Sequence, residues 1–240
     1  MDKSDLGTRM KDNYEKRYRL YLTRRTPVIM RLDGRAFHTF TRGMEKPFDE
    51  AFHRRMVQVA TALMGDIQGA QLAYIQSDEI SILIVDYKKL TSEGWFDYNI
   101  QKMTSVSASL AGGHMSLMFK RPVQFDSRVF NIPKEEVCNY FIWRQKDWER
   151  NSLTMLAQAH FSHAELMNKG KSAKHEMLYE KGINWADLDS WKKNGSCVFR
   201  RPIAEAELKD SEQATIEVGA APIFTEDRSF IEKHVEPEEV

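Results

Sequence analysis

Two short acidic stretches stand where apolar, β-favouring runs end. Asp33-Gly34-Arg35 closes the run 26–32, TPVIMRL. Ser77-Asp78-Glu79 lies between Leu72-Ala73-Tyr74-Ile75 and Ile80-Ser81-Ile82-Leu83-Ile84-Val85. Neighbouring carboxylates disfavour each other's ionised form, so a pair at the tip of an otherwise apolar hairpin calls for a cation. Hard oxygen donors on an open site suit Mg²⁺, which keeps waters and substrate phosphates in its shell. Gly34 lets backbone amides come close to a triphosphate, and Arg35 can pair with its oxygens. The plainer alternatives are a strand-ending Asp-Gly turn and a solvated acidic tip. Lys102, on a face with Ser105 and Ser109, is either a phosphate cap or a solvated lysine.

Other arrangements fall away. Gly170-Lys171-Ser172 imitates the end of a P-loop, but Glu165 occupies the required upstream glycine and no strand precedes it. His160 and His163 sit one helical turn apart with no third ligand at a typical spacing. No Gly-x-Ser-x-Gly elbow supports a hydrolase triad. Cys138 has a helical, aromatic neighbourhood and reads as core.

Placing the carboxylates requires strands and helices. Residues 26–32 read as a strand, and Phe48–Met64 as an amphipathic helix with Phe52, Met56, Val59, Ala60 and Leu63 at three- and four-residue spacings. A hairpin at 72–86 follows, then a helix over Tyr98–Leu117 interrupted by Gly112-Gly113, then a strand at 122–130. Helical periodicity runs from Pro133 towards Arg150, resumes at Leu153–Met167, and returns near Ala173–Lys181. The order βαββαβ is that of a ferredoxin-like α+β domain, an antiparallel sheet with helices on one face. In that sheet the first strand lies beside the hairpin, so Asp33 and Asp78 meet at one edge. Residues 1–135 are expected to form this domain, 136–200 a helical region completing it, and 201–240 an acidic tail.

Composition sets the outer limits. The chain has 240 residues, 42% of them hydrophobic and only two of them cysteines, Cys138 and Cys197. It carries no long apolar run, so a cytoplasmic protein without disulfides or membrane contact is expected. The net charge of zero hides an asymmetry. Residues 1–60 hold 14 Lys and Arg against 8 Asp and Glu, whereas 201–240 hold 4 against 11. The basic part can follow a polyanion. Arg24, Arg25, Arg54 and Arg55 are its candidate contacts to such a polyanion.

Four motifs occur together. Arg31-Leu32-Asp33-Gly34-Arg35-Ala36-Phe37-His38, Gln76-Ser77-Asp78-Glu79, Phe125-Asp126-Ser127-Arg128-Val129-Phe130 and Trp143-Arg144-Gln145 resemble those of the tRNA-His guanylyltransferase family in order and spacing, over about residues 5–200. The resemblance implies a palm-like domain, similar to those of polymerases and nucleotide cyclases, that adds nucleotides in the 3′-to-5′ direction to the 5′ end of tRNA. It implies ATP and GTP as substrates, two Mg²⁺ per site, and a homo-oligomer, dimer or tetramer.

Carried over by motif, Asp33, Asp78 and Glu79 would be the catalytic acids, with Asp33, Asp78 and the Gly34 carbonyl as metal ligands. Arg35, Ala36, Phe37 and His38 would line the triphosphate, Ser77 would touch the nucleotide, and Lys46 and Lys102 would lie near phosphates. Eukaryotic members follow the Trp-Arg-Gln segment with His-Ile-Asn-Asn-Leu-Tyr-Asn. Here Glu149-Arg150-Asn151-Ser152-Leu153-Thr154-Met155 keeps only Asn151 and Leu153. That departure resembles the guanylyltransferase-like branch, which repairs truncated 5′ ends against the opposite strand. The alternative within the family is addition of an extra G to tRNA-His. Outside it stand a palm-type nucleotide cyclase, which needs no RNA, and an RNA-binding palm that has lost catalysis.

Overall fold

A computed structural model describes residues 5–201 and 215–236. Its centre is a six-stranded sheet in the order β4-β1-β3-β2-β5-β6. The strands are β1 Val28–Gly34, β2 Ala70–Gln76, β3 Glu79–Ile84, β4 Phe125–Asn131, β5 Ser196–Arg200 and β6 Ile216–Ala220. Every pairing is antiparallel. The helices are α1 Leu6–Met10, α2 Phe37–Phe40, α3 Glu50–Asp66, α4 Ile100–Phe119, α5 Lys134–His160, α6 His163–Leu166, α7 Lys171–Glu180, α8 Ser190–Asn194 and α9 Ser229–Val235.

The first four strands with α3 and α4 are the expected βαββαβ unit. Strand alternation sorts their side chains between two cores. Val28, Met30 and Leu32 of β1 join Ile80, Ile82 and Ile84 of β3 against the two crossover helices. α3 contributes the predicted Phe52, Met56, Val59, Ala60 and Leu63, and Asp49 caps it by accepting the Phe52 amide at 2.7 Å. Gly112 and Gly113 do not interrupt α4. A Cβ on Gly112 would stand 2.9 Å from the Val123 carbonyl, so the glycine lets helix and chain touch.

The second face is covered as well. Ile29, Leu83, Tyr74 and Cys197 pack with Val137 and Phe141 of α5 and Ile231 and Val235 of α9. Two expectations change here. The stretch 133–150 and the first part of 153–167 are joined in one 27-residue helix, α5, which ends at His160; the rest holds the separate α6. Buried Ser152 does not break α5, because its hydroxyl donates to the Lys192 carbonyl and accepts from the Trp185 indole at 3.0 Å. Residues 215–236 of the supposed acidic tail are folded: β6 pairs with β5, and α9 buries Ile231, His234 and Val235. Gln145 staples this segment, donating to the Pro222 carbonyl at 2.7 Å and accepting the Phe224 amide at 2.8 Å. Residues 202–214 and 237–240 of that expectation lie outside the described residues. Among the described residues no helix is long and apolar enough to cross a membrane.

Candidate active site

Register brings the acidic motifs together. Asp33 lies directly opposite Glu79 on β3 and Asp126 on β4, so three carboxylates stand abreast at one end of the sheet. Asp78 joins them from the two-residue turn between β2 and β3, and the Gly34 amide donates to the Asp78 carbonyl at 3.1 Å. The turn is strained: Ser77 has φ 47°, a left-handed conformation that costs a non-glycine residue roughly 1–2 kcal/mol. Ala36, just after the first motif, is also left-handed at φ 58°. Such strain survives where the surroundings hold it in place, and it gathers at functional sites.

Neither Asp33 nor Asp78 is in an ion pair among the described residues. Burial raises the Asp33 carboxyl above its usual range, and Glu79 and Asp126 raise it further. Burial likewise pushes Asp78 up to about 6, with Asp33 the next cause. Arg31 and Arg128 offset part of this at Asp33, and a further positive charge would favour both ionised carboxylates. Among the described residues no group of three or more His, Cys, Asp or Glu side chains is arranged to hold a metal. A pair of carboxylates nevertheless fits Mg²⁺, which is commonly held by one or two carboxylates with waters and phosphates completing its shell.

Next to the carboxylates, the chain turns from β1 into α2. A Cβ on Gly34 would fall 2.3 Å from the Phe37 ring, so only glycine lets Phe37 fold back into the core here. Arg35 is exposed and donates from Nη1 to the Gln124 side chain at 2.7 Å. At the start of α2 the first amides lack intrahelical acceptors. Ala36 and His38 are exposed there, beside the acidic edge. On the other side of Ser77 is a cleft also lined by Lys46, Phe48, His53, Trp148, Met155 and Trp191. His53 stacks on Trp191 with ring centroids 4.3 Å apart and lies 2.9 Å from the Ser196 hydroxyl. Burial lowers its imidazole to about 4, so it is neutral near pH 7. An aromatic cleft, with Glu45, Lys46 and Asp49 also in its lining, beside a carboxylate pair suits a planar base attached to a phosphate–metal group. Sequence periodicity counts these aromatics as core, which hides the cleft.

Four expected residues take other places. Glu79 is 7% exposed and held in a fork by Arg144, Nε to Oε1 at 2.7 Å and Nη2 to Oε2 at 2.7 Å. Its carboxylate is paired with a guanidinium, unlike those of Asp33 and Asp78. Lys102 is in the first turn of α4, where Asn99 caps its amide and its ammonium lies 5.7 Å over the Phe96 ring. Because Ser107 bonds Ser127 at 2.8 Å and Gly112 abuts Val123, that turn lies towards the Val28–Asn131 end of the sheet, away from Asp33. Arg24 is engaged internally, donating to Asp86 at 2.6 Å, Asp97 at 3.1 Å and the Ser92 carbonyl at 2.9 Å. Arg25 donates its amide to Asp86 at 2.9 Å and its guanidinium to the Leu90 carbonyl at 2.6 Å. Arg54 is exposed, with Glu50 at 3.7 Å, and the Arg55 guanidinium lies 4.5 Å over the Phe119 ring.

With this geometry in place, the relatives can be set beside it. The profile of the tRNAHis guanylyltransferase (Thg1) family matches residues 7–133, more than half of the chain, and the chain belongs to that family of nucleotidyltransferases. The fold is similar to that of a bacterial tRNA(His) guanylyltransferase (Thg1)-like protein solved in complex with ATP. That protein is 42% identical, the match covers 96% of this chain and 99% of the other, and the TM-score is 0.85. A bacterial Thg1-like protein in complex with GTP is 38% identical over 97% of this chain and 99% of that one, with TM-score 0.79. A probable tRNA(His) guanylyltransferase of Drosophila melanogaster is 28% identical over 79% of this chain and 71% of its own length.

Proposed function

We propose that this protein adds nucleotides to the 5′ end of tRNA in the 3′-to-5′ direction, guided by the opposite strand, and so repairs truncated 5′ ends. The observation that carries the reading is the pair Asp33 and Asp78, convergent, partly buried and without an ion-pair partner among the described residues, beside a loop able to take phosphates. Two Mg²⁺ held by Asp33, Asp78 and the Gly34 carbonyl would supply charge neutralisation at the reacting oxygens and lower the attacking hydroxyl's pKa. Arg35 and the amides of Ala36, Phe37 and His38 hold the triphosphate, and Ser77 and Lys46 fix the nucleotide entering the aromatic cleft.

The chemistry falls into two balanced displacements. An oxygen of the RNA 5′-monophosphate attacks the α-phosphate of ATP, and pyrophosphate leaves. The 3′-hydroxyl of the incoming nucleotide, GTP among the candidates, then attacks the activated 5′-phosphate; AMP leaves and the hydroxyl proton passes to solvent. Positioning and electrostatics carry most of the acceleration in such transfers. Cytoplasmic action and a dimeric or tetrameric assembly belong to the same reading. On the RNA side, Arg54 and Arg55 remain the candidate contacts, whereas Arg24 and Arg25 are committed to the fold.

A second reading, untemplated G addition to tRNA-His, draws support from the names of the relatives. The stretch 149–155 favours the first, because it keeps only Asn151 and Leu153 of the eukaryotic motif; it lies inside α5, with Ser152 buried and Met155 lining the cleft. The test offers each of the four nucleoside triphosphates to truncated tRNAs whose opposing base is C, A, G or U. The templated reading expects the complementary nucleotide to win each time. G added whatever the opposing base, or reaction confined to tRNA-His, supports the second reading. Cyclic nucleotide formed without RNA would refute both.

A further inference from the structure

Four carboxylates crowd one end of the sheet: Asp33, Asp78, Glu79 and Asp126. A cation site built from all of them would be over-charged and without a defined geometry. Asp126 is exposed, with Arg128 at 3.2 Å. Glu79 is treated differently. Its Oε1 accepts from Arg144 Nε at 2.7 Å, Gln76 at 3.1 Å and Ser81 at 3.3 Å, while its Oε2 accepts from Arg144 Nη2 at 2.7 Å. Three donors converge on Oε1 and one on Oε2, so both oxygens are held in the plane of the guanidinium.

Arg144 is itself held in place. It is 7% exposed, its Nη2 also reaches Asp147 at 3.1 Å, and its guanidinium lies 4.5 Å over the Trp143 ring. Fork geometry of this kind is specific to arginine.

We propose that Arg144 is a positioning residue: by clamping α5 to the hairpin tip it withdraws Glu79 from the metal site, so that Asp33 and Asp78 are the only carboxylates that hold the cation. This rests on the metal–nucleotide reading of those two aspartates. It also gives the Trp-Arg-Gln stretch a part in the reaction without contact with substrate. Take Arg144 away and Glu79, next to Asp78 in the chain and opposite Asp33 in the sheet, becomes a third free carboxylate. A cation would then be held more tightly and off its proper place, and small misplacements of reacting atoms cost about a hundredfold in rate.

The test uses the full chain and two readouts: titration with Mn²⁺ alone, followed by its spin-resonance signal, and single-turnover nucleotide addition. Arg144→Met should bind Mn²⁺ tighter, by roughly tenfold for one unscreened charge nearby. Its addition rate should fall about a hundredfold while KM for the nucleotide stays near wild type. Arg144→Met with Glu79→Gln should return Mn²⁺ affinity to the wild-type value and recover most of the rate. Arg144→Lys keeps the charge and covers the case in which the methionine variant does not fold; it should hold Mn²⁺ as wild type does and add nucleotides several-fold more slowly. The proposal is overturned if Arg144→Met binds Mn²⁺ no tighter than wild type, if the double variant is no faster than the single one, or if Arg144→Lys loses Mn²⁺ affinity. Parallel Asp33→Asn and Asp78→Asn variants that bind Mn²⁺ unchanged would instead sink the metal reading itself.

Discussion

Both ends of the central sheet bury aspartates, and they treat them in opposite ways. At the Val28 end, Asp86 is 1% exposed and fully compensated by the Arg24 guanidinium and the Arg25 amide. At the Asp33 end, Asp33 and Asp78 are partly exposed, burial raises both carboxyls, with Glu79 and Asp126 adding to it at Asp33 and Asp33 adding to it at Asp78, and neither has an ion-pair partner among the described residues. A buried charge persists only if it is paired or bound to something. Asp86 is therefore explained by the fold alone, whereas the carboxylates of Asp33 and Asp78 are left open to solvent or to a ligand. Glu79 stands at the active end but is compensated like Asp86, which makes compensation a better guide to role than location.

The contrast can be broken at its strongest point first. Asp33→Ala or Asp78→Ala should lower nucleotide addition by roughly a thousandfold or more, since metal-ion charge stabilisation is worth several kcal/mol. Thermal unfolding should move little, because each side chain has a small packing role. Single-turnover assays and calorimetry on the same samples check both halves. Asp86→Ala should do the reverse. Removing this buried acceptor should destabilise by about 1–3 kcal/mol, since the half-exposed Arg24 is resolvated, while the rate per folded molecule is kept.

A smaller effect concerns pH. Asp78 binds its proton more tightly when folded, at about 6 against the usual 3.8, so acid favours the cation-free fold. Cation-free stability should fall as pH rises through that window, and Mg²⁺ affinity should rise over the same range. Melting curves from pH 4 to about 8, with and without Mg²⁺, should diverge in wild type and stay parallel in Asp78→Asn. The smallest expected effect is on RNA binding. Arg54→Ala and Arg55→Ala should each reduce the salt slope of tRNA binding by up to about one unit, whereas Arg24→Ala should leave the slope alone and cost stability.

How far the sequence could be read depended on how local each signal is. β1, the hairpin and α3 were legible because one buried face repeats at period two or 3.6, as in Phe52, Met56, Val59 and Leu63. The meeting of Asp33 with Asp78 was legible too, since the βαββαβ order places β1 beside β3. Contacts between distant segments were not. The Arg144–Glu79 fork spans 65 residues, and the Arg24–Asp86 pair spans 62. Neither leaves a mark on local periodicity, so Arg24 read as a surface cation and Glu79 as a free acid. β5 and β6 are five residues each in a charged setting, too short to show alternation. α5 looked broken at Asn151-Ser152 because the bonds that satisfy Ser152 come from Trp185 and Lys192.

The most direct test of the difference between the two ends is a count of bound cations. Mn²⁺ should be titrated into the full chain in the presence of ATP, in wild type, Asp33→Asn, Asp78→Asn and Asp86→Asn. Wild type and the folded fraction of Asp86→Asn should each bind two Mn²⁺ per chain, and both active-end variants should lose at least one. If Asp33→Asn and Asp78→Asn bind as many Mn²⁺ as wild type with unchanged affinity, the two carboxylates do not hold a metal, and the account of this site is wrong.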